Sequence, residues 1–446
     1  MAIDGLTKKI MATGQIVSSD RYPISLLATS EGNLVTKENA IPVNISASST
    51  STGADAFGRL RTSETRSLFE SFHRFRDNGL WVEKITGTAS STFSPNEGLV
   101  LLDVGTAVND EIIRETIKVF SYHPGKSLLL MKSFVLAPAK NNLRQRIGLF
   151  GEKNGFYIEQ ENTSLSIVKR TYTSGSVENI KIPQEDWNYD KMDGTGPSGI
   201  LLDSSKAQIM WMDMEWLGVG TVRVGFIIDG ALYLCHSFHH ANIINSTYTT
   251  TACLPLRQEI TNIGETISNS TAKQICSTVS SEGGYSLTGK QSVLSTPITS
   301  PRITGAAGVY FPVASIRLKS TDDNLDAIVI LTSIALMGGG NLHNYSWKIL
   351  SNSTTTDGEW LSLGPDSLVE YNSTGTLVTG GNTLSSGFFS SSQQSNQTIY
   401  LSDSLFKFQL ERNSFTSTPY EICLVVVGGS NNQPVFGTLE WEEITR

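Results

Sequence analysis

The residues best placed to do chemistry are Met210-Trp211-Met212-Asp213-Met214-Glu215-Trp216. Read as a strand, this run puts Trp211, Asp213 and Glu215 on one face. Met210, Met212, Met214 and Trp216 take the other. Glycoside hydrolysis needs two carboxyl groups about 5 to 9.5 Å apart, one of them with a raised pKa. Residues two apart on a strand lie about 6.5 to 7 Å apart at Cα, so the spacing permits it. The same stripe could hold a glycan without cleaving it, with Trp211 and Trp187 as stacking faces beside Asp213 and Glu215. It is also what a solvent-facing or interface-facing side of a sheet looks like, and that plain structural reading is the favoured one.

A second cluster is Asp186-Trp187-Asn188-Tyr189-Asp190-Lys191-Met192-Asp193-Gly194. Asp186, Asn188, Asp190 and Asp193 are hard oxygen ligands of the kind Ca²⁺ takes. Counted from Asp186, an EF-hand would need Gly at the sixth position and Glu at the twelfth, where Lys191 and Pro197 stand. An irregular Ca²⁺ loop is one reading. A tight turn whose Asp and Asn side chains bond its own backbone is the other, and no metal or other cofactor is expected.

Cys235-His236-Ser237-Phe238-His239-His240 could supply imidazoles to zinc. Regular alternation, however, sends Cys235 to the face opposite His236 and His240. No Gly-x-Ser-x-Gly elbow supports a nucleophilic serine. Gly338-Gly339-Gly340 lacks the following Lys-Ser/Thr of a phosphate loop. The chain is therefore expected not to be an enzyme.

The elements that would position these groups are strands. The chain has 446 residues, 39% hydrophobic and only 17% charged, with polarity coming from Ser, Thr, Asn and Gly. Short alternating runs recur between turn signals, and long helical periodicity is absent. Arg144–Phe150 and Phe156–Glu159 read as a hairpin around Asn154-Gly155. Asp229-Gly230 gives the same signal between Phe226–Ile228 and Leu232–Leu234. The expected fold is mainly β: an extended arm and junction over 1–65, a jelly-roll or lectin-like sandwich over 66–263, and a C-terminal β-domain over 264–446. The polar run Gly264–Lys273 marks the second boundary.

Charge and cysteine content narrow the function. A net charge of −8 argues against nucleic-acid binding. Four cysteines without CxxC spacing imply neither zinc nor a disulfide framework. No run has transmembrane length. The N-terminus lacks an apolar signal core, so synthesis in a cytoplasm without secretion is expected.

Gly53–Phe75 joins the apolar-poor arm to the body, with Phe57, Leu60, Leu68, Phe69, Phe72 and Phe75 interspersed among Arg59, Arg61, Arg66 and Arg74, and with Arg76 just beyond. Either this segment lies across its own sheet with snorkelling arginines, or it clasps a neighbouring subunit. The blocks Asp55-Ala56-Phe57-Gly58-Arg59-Leu60-Arg61-Thr62-Ser63 and Ser67-Leu68-Phe69-Glu70-Ser71 resemble a motif of tailed-bacteriophage virion structural proteins. The runs Trp187–Gly194, Glu215–Gly220 and Cys276–Tyr285 point the same way. The resemblance implies a particle component, of head, neck, tail or fibre, made in the bacterial cytoplasm and residing in the virion. Phe57, Arg59, Leu60, Arg61 and Phe69 are the anchoring residues expected. The expected partners are other copies of the chain, with a trimer as one option, and other virion proteins. The alternative is an adhesin that binds or cleaves a host-surface glycan.

Overall fold

The computed structural model describes residues 16–17, 23–24, 64–320, 325–340, 343–391, 397–401 and 406–444. The chain divides into Met1–Thr62 and Ser63–Arg446. In the first unit the described residues form one antiparallel pair, Ile16–Val17 with Pro23–Ile24. Phe57, Arg59, Leu60 and Arg61 lie outside the described residues.

The second unit is built from strands, and its described residues contain no α-helix. Its first part is a sandwich of two antiparallel sheets. One sheet runs Glu178–Pro183, Ser164–Thr171, Gly155–Glu161, Leu143–Phe150, Leu256–Asn262, Glu111–Thr116, Trp81–Thr86. The other runs Ala231–Phe238, Val222–Ile228, Gln208–Glu215, Ser127–Val135, Ser270–Glu282, Leu99–Val104, Ser90–Ser94, and Thr65–Phe72 also pairs with Ser270–Glu282. Ser127–Val135 shows why the sheets stack: Leu128, Leu130, Lys132 and Phe134 are buried while the residues alternating with them are only half-buried. Leu128, Leu130 and Phe134 meet Met210, Met212, Met214, Ile147, Phe156 and Ile158 in one core.

The turns follow their residues. Asp229 and Gly230 take φ of 51° and 77°, as a two-residue hairpin requires. Gly155 has φ 140°, and a Cβ there would stand 2.3 Å from the Cα of Phe150.

Ser270–Glu282 overturns the boundary expected at 263/264. It lies inside the first sandwich, bonded to Ser127–Val135 on one side and to Leu99–Val104 and Thr65–Phe72 on the other. The polar run Gly264–Lys273 read as the boundary leads straight into it, and Ala272, Gln274 and Val279 are buried. By sheet membership the divide falls between Glu282 and Lys290.

The second sandwich stacks a five-stranded sheet, centred on Pro434–Ile444 and Ile328–Gly338, on a six-stranded one. The latter runs Leu361–Ser362, Val369–Asn372, Phe311–Leu318, Glu421–Gly428, Asn344–Thr356, Leu377–Ser390. Trp441, Tyr345, Trp347 and Leu424 fill its core. Within it, the Glu443 carboxylate accepts from Ser367 Oγ (2.7 Å), the Leu368 amide (2.6 Å), Ser292 Oγ (3.1 Å) and Trp441 Nε1 (3.0 Å).

The two sandwiches are fastened together. Arg412, on the second, donates from Nη1 to the Thr116 carbonyl (2.6 Å) and from Nη2 to Glu115 (2.6 Å), both on the first. Gln409 Nε2 donates to the Val119 carbonyl at 2.8 Å. Val119 packs on Ile328 and Ile330, with Phe406 and Tyr285 against them.

Candidate functional site: a charged lattice across the seven-stranded sheet

Period-two alternation puts Arg146, Glu159 and Glu259 on one face of three adjacent strands, and the register sets them directly opposite one another. This face is turned away from the core that holds Ile147, Ile158 and Leu256. Arg146 Nε donates to Glu159 at 2.6 Å and Nη1 to Glu259 at 3.4 Å. Arg257 reaches Glu259 at 3.3 Å and Glu115 at 2.6 Å. Glu115 is shared with Arg412, which also holds Asp326 at 3.0 Å. At the other end Lys181, on the edge strand, pairs with Glu159 at 2.6 Å and Glu161 at 2.9 Å. The charges alternate without a break from Asp326 on the second sandwich to Glu161 near the far edge of the first.

Aromatic rings fill the gaps. The Arg146 guanidinium lies 5.4 Å from the Tyr157 ring, and Arg170 lies 5.2 Å from Tyr157 and 5.6 Å from Phe150. Arg257 is 5.6 Å from both Phe150 and Phe415. At the junction of the sandwiches a cleft of about 420 Å³ opens beside the lattice. Tyr172, Phe415, Arg257, Arg412, Glu115 and Asp326 line it.

The electrostatics fix what these carboxylates can do. Burial pushes the Glu115 carboxyl up, but Arg257 and Arg412 pull it below the usual carboxylate range. Burial likewise opposes Lys181 and Arg146 at Glu159, and the cations again win. A glycosidase acid must stay protonated near neutral pH, which needs a raised pKa. Both groups are shifted the opposite way.

The residues singled out from sequence are placed as follows. Trp211, Asp213 and Glu215 share one face, with Met210, Met212 and Met214 in the core, as period two requires. Trp211 is 6% exposed and sits opposite Gly225, where a Cβ would stand 2.8 Å from its Nε1, so the indole lies against the neighbouring strand. Asp213 is paired with Arg223. Asp213, Glu215, Glu282, Lys126 and Arg223 line a surface hollow of about 490 Å³. Trp187 is 2% exposed, belongs to the core and donates its Nε1 to the Ile182 carbonyl at 3.2 Å. It offers no stacking face and does not join Trp211. Trp216 is on the opposite side, bonded to Thr249 Oγ1 at 3.0 Å.

The acidic loop closes on itself and on a neighbouring strand. Asp190 accepts from the Met192 amide at 2.9 Å and the Ser198 amide at 3.0 Å. Asp193 accepts from the Thr195 amide (2.8 Å) and hydroxyl (2.6 Å). Asn188 exchanges two hydrogen bonds of 2.9 Å with the backbone of Ser237, and the Tyr189 amide donates to the Cys235 carbonyl at 3.0 Å. The loop thereby covers half of the Ala231–Phe238 edge. Asp186 is exposed. Among the described residues no group of three or more His, Cys, Asp or Glu side chains converges on a metal position.

Cys235 does not point away from its neighbours' core. A register shift between Val224 and Gly225 lets both Cys235 and Phe238 face inward. Burial lowers His236 and His240 to about 4. Phe69 is buried in the body's own core, 6.1 Å from Trp81 and 5.1 Å from Phe120, so for this residue the protein it packs on is its own subunit. Phe72 and Phe75 are exposed.

The lattice itself was missed from sequence. Arg144-x-Arg146, Glu159-x-Glu161 and Arg257-x-Glu259 are period-two charge signals. They become a network only once the order of strands is known.

No family model matches this sequence, and no curated protein matches it. Among solved structures the chain is similar to a Bacillus licheniformis beta-glucanase at 10% identity, covering 48% of this chain and 98% of that one, with a TM-score of 0.32. It is similar to arcelin-5, a lectin-like defense protein of Phaseolus vulgaris, at 11% identity over 50% and 100%, TM-score 0.29. It is also similar to the CBM2 module of the evolved Dit of Lactobacillus casei BL23 phage J-1, at 6% identity over 51% and 100%, TM-score 0.33.

Proposed function

We propose that this chain is a non-enzymatic structural component of a tailed-phage particle, attached through its N-terminal arm and displaying the two-sandwich body outward. The observation that carries this reading is what the charged lattice does. Among the described residues the longest run of ion pairs ties strand to strand and sandwich to sandwich, with Glu115 and Glu159 held ionised by their cationic partners. Such a network makes a stiff display body and supplies no general acid. The Asp55–Ser63 and Ser67–Ser71 blocks, which resemble the particle family, support it from the sequence side. Partners on this reading are other copies of the chain and other virion proteins. Gold-labelled antibody against the body, applied to intact particles, should decorate repeated positions. Undecorated particles would argue against the reading.

The junction cleft favours one second reading, a glycan-binding adhesin. Tyr172 and Phe415 offer rings beside the fixed polar groups Arg257, Arg412 and Asp326, which is how polar ligands are oriented in mixed pockets. A glycan array comparing the wild type with Phe415→Ala tests it. Binding lost in the variant supports an adhesin, and a flat wild-type array removes it.

A further inference from the structure

Four polar side chains point into the first sandwich. Lys132 and Ser277 stand opposite each other on the paired strands Ser127–Val135 and Ser270–Glu282. Gln274, further along the second strand, stands opposite the core residue Phe134. Arg114 projects from the other sheet: it is opposite Gln258, which is itself opposite the core residue Ile147. All four side chains belong to residues at most 5% exposed. Among the described residues, Lys132 Nζ, Ser277 Oγ, Arg114 Nε and Gln274 Nε2 have no hydrogen-bond partner. Each of these atoms can donate.

The Trp81 ring ties them together. Lys132 Nζ lies 4.6 Å from its centroid and Arg114 Cζ 6.0 Å. Trp81 Nε1 donates to Ser71 Oγ at 2.9 Å, and Ser71 stands opposite Ser277. Gln258, beside Arg114, donates from Nε2 to the Lys273 carbonyl, next to Gln274, at 3.4 Å. Two like charges are thus brought to one indole. Arg114 has its counter-charges: Nη1 donates to Glu83 and Nη2 to Asp77 at 2.7 Å. Asp77 also meets His73 Nδ1 at 3.4 Å. Lys132 pairs with no carboxylate among the described residues, and both burial and the Arg114 charge oppose its protonated form. A buried charge needs a partner or is given up.

We propose that a small monovalent anion of the halide kind binds between Lys132 Nζ and Arg114 Nε, with Ser277 Oγ and Gln274 Nε2 completing its shell of donors. The chemistry of the free groups selects this ligand. Two are cationic and two are neutral donors, so a metal cation would meet like charge. The nearby carboxylates are already engaged by Arg114 and His73. The Oε1 atoms of Gln274 and Gln258, also without partners among the described residues, suit the remaining Lys132 protons. The ion has a way in. Pairing of the two strands slips between Gln274 and Ser277, and a hollow of about 390 Å³ lies there, lined by Phe72, Met131, Cys276, Lys132 and Ser277 among others. The site does not depend on the particle reading.

Two measurements on the full chain test this. Crystals soaked in sodium bromide should show an anomalous peak within hydrogen-bond reach of Lys132 Nζ. The melting temperature should rise and saturate as sodium chloride replaces sodium gluconate at fixed ionic strength. Lys132→Met should lose the saturable rise, and Ser277→Ala should raise its midpoint about tenfold, as loss of a hydrogen bond to a charged group would. The two variants guard against a substitution that merely unfolds the chain, which circular dichroism would reveal. A bromide map without a peak at Lys132, or the same chloride response in the wild type and in whichever variant folds, would overturn the proposal.

Discussion

Arg412 and Glu115 meet across the junction of the two sandwiches, Nη2 to Oε1 at 2.6 Å, with side chains 2% and 1% exposed. Neither charge has water to turn to, so each depends on the other and on Arg257 and Asp326. Removing one partner of such a buried pair leaves an uncompensated charge, which costs about 3 to 5 kcal/mol. Arg412→Met is expected to destabilise the body by about 3 kcal/mol, because Glu115 keeps Arg257. Urea unfolding should then show the sandwiches separating into two transitions where the wild type shows one.

Phe69→Ala should cost about 3 to 5 kcal/mol, since it empties a site bounded by Trp81 and Phe120. Phe72→Ala, three residues on and exposed, should stay within about 0.5 kcal/mol. Thermal or urea melts of both variants check the contrast. Equal effects would mean that the segment is not anchored in its own core as described.

Lys132 points between the sheets of the first sandwich, with Nζ 4.6 Å from the Trp81 ring and no hydrogen-bond partner among the described residues. Burial, with Arg114 nearby, lowers its pKa well below the usual lysine range. An unsatisfied buried polar group costs about 1 to 3 kcal/mol. Lys132→Met, similar in length and apolar, should therefore raise stability by roughly that amount in the same melts.

Acid should weaken the fold in an identifiable window. His236 and His240 titrate at about 4 when folded and from 6.5 when unfolded. The unfolded chain thus binds protons first as pH falls. Their contribution is whole above 6.5 and is lost between 6.5 and 4. The lowered carboxyls of Glu115 and Glu159 add a further loss below their unfolded value of 4.5. The melting temperature should already fall between pH 7 and pH 5. Replacing both histidines with Gln should flatten that upper part of the curve and leave the lower part.

The sequence shows the strands better than their neighbours. The Met210/Met212/Met214 stripe and the Asp229-Gly230 turn follow from local rules and are found as read, and the Arg144–Glu159 hairpin is found with its loop one residue earlier, Gly155 already pairing with Phe150 in the strand. Ser270–Glu282 escapes those rules. A strand rich in Ser and Thr is stabilised by bonds to its neighbours on both sides, which a linear reading does not contain. Trp187 fails as a platform for a related reason: its loop turns the indole inward, and nothing in Asp-Trp-Asn fixes that direction. The lattice from Asp326 to Glu161 joins residues more than a hundred positions apart, so only topology reveals it.

The central claim, that the arm carries an otherwise inert body onto a particle, is tested most directly by a truncation beginning at Ser63. Purified particles assembled with the full chain or with the truncation would be compared by quantitative mass spectrometry. The full chain should be present, while the truncation folds with an unchanged melting temperature and is absent from particles. Incorporation of the truncation at the full-chain level, or absence of the full chain from particles, would contradict the account.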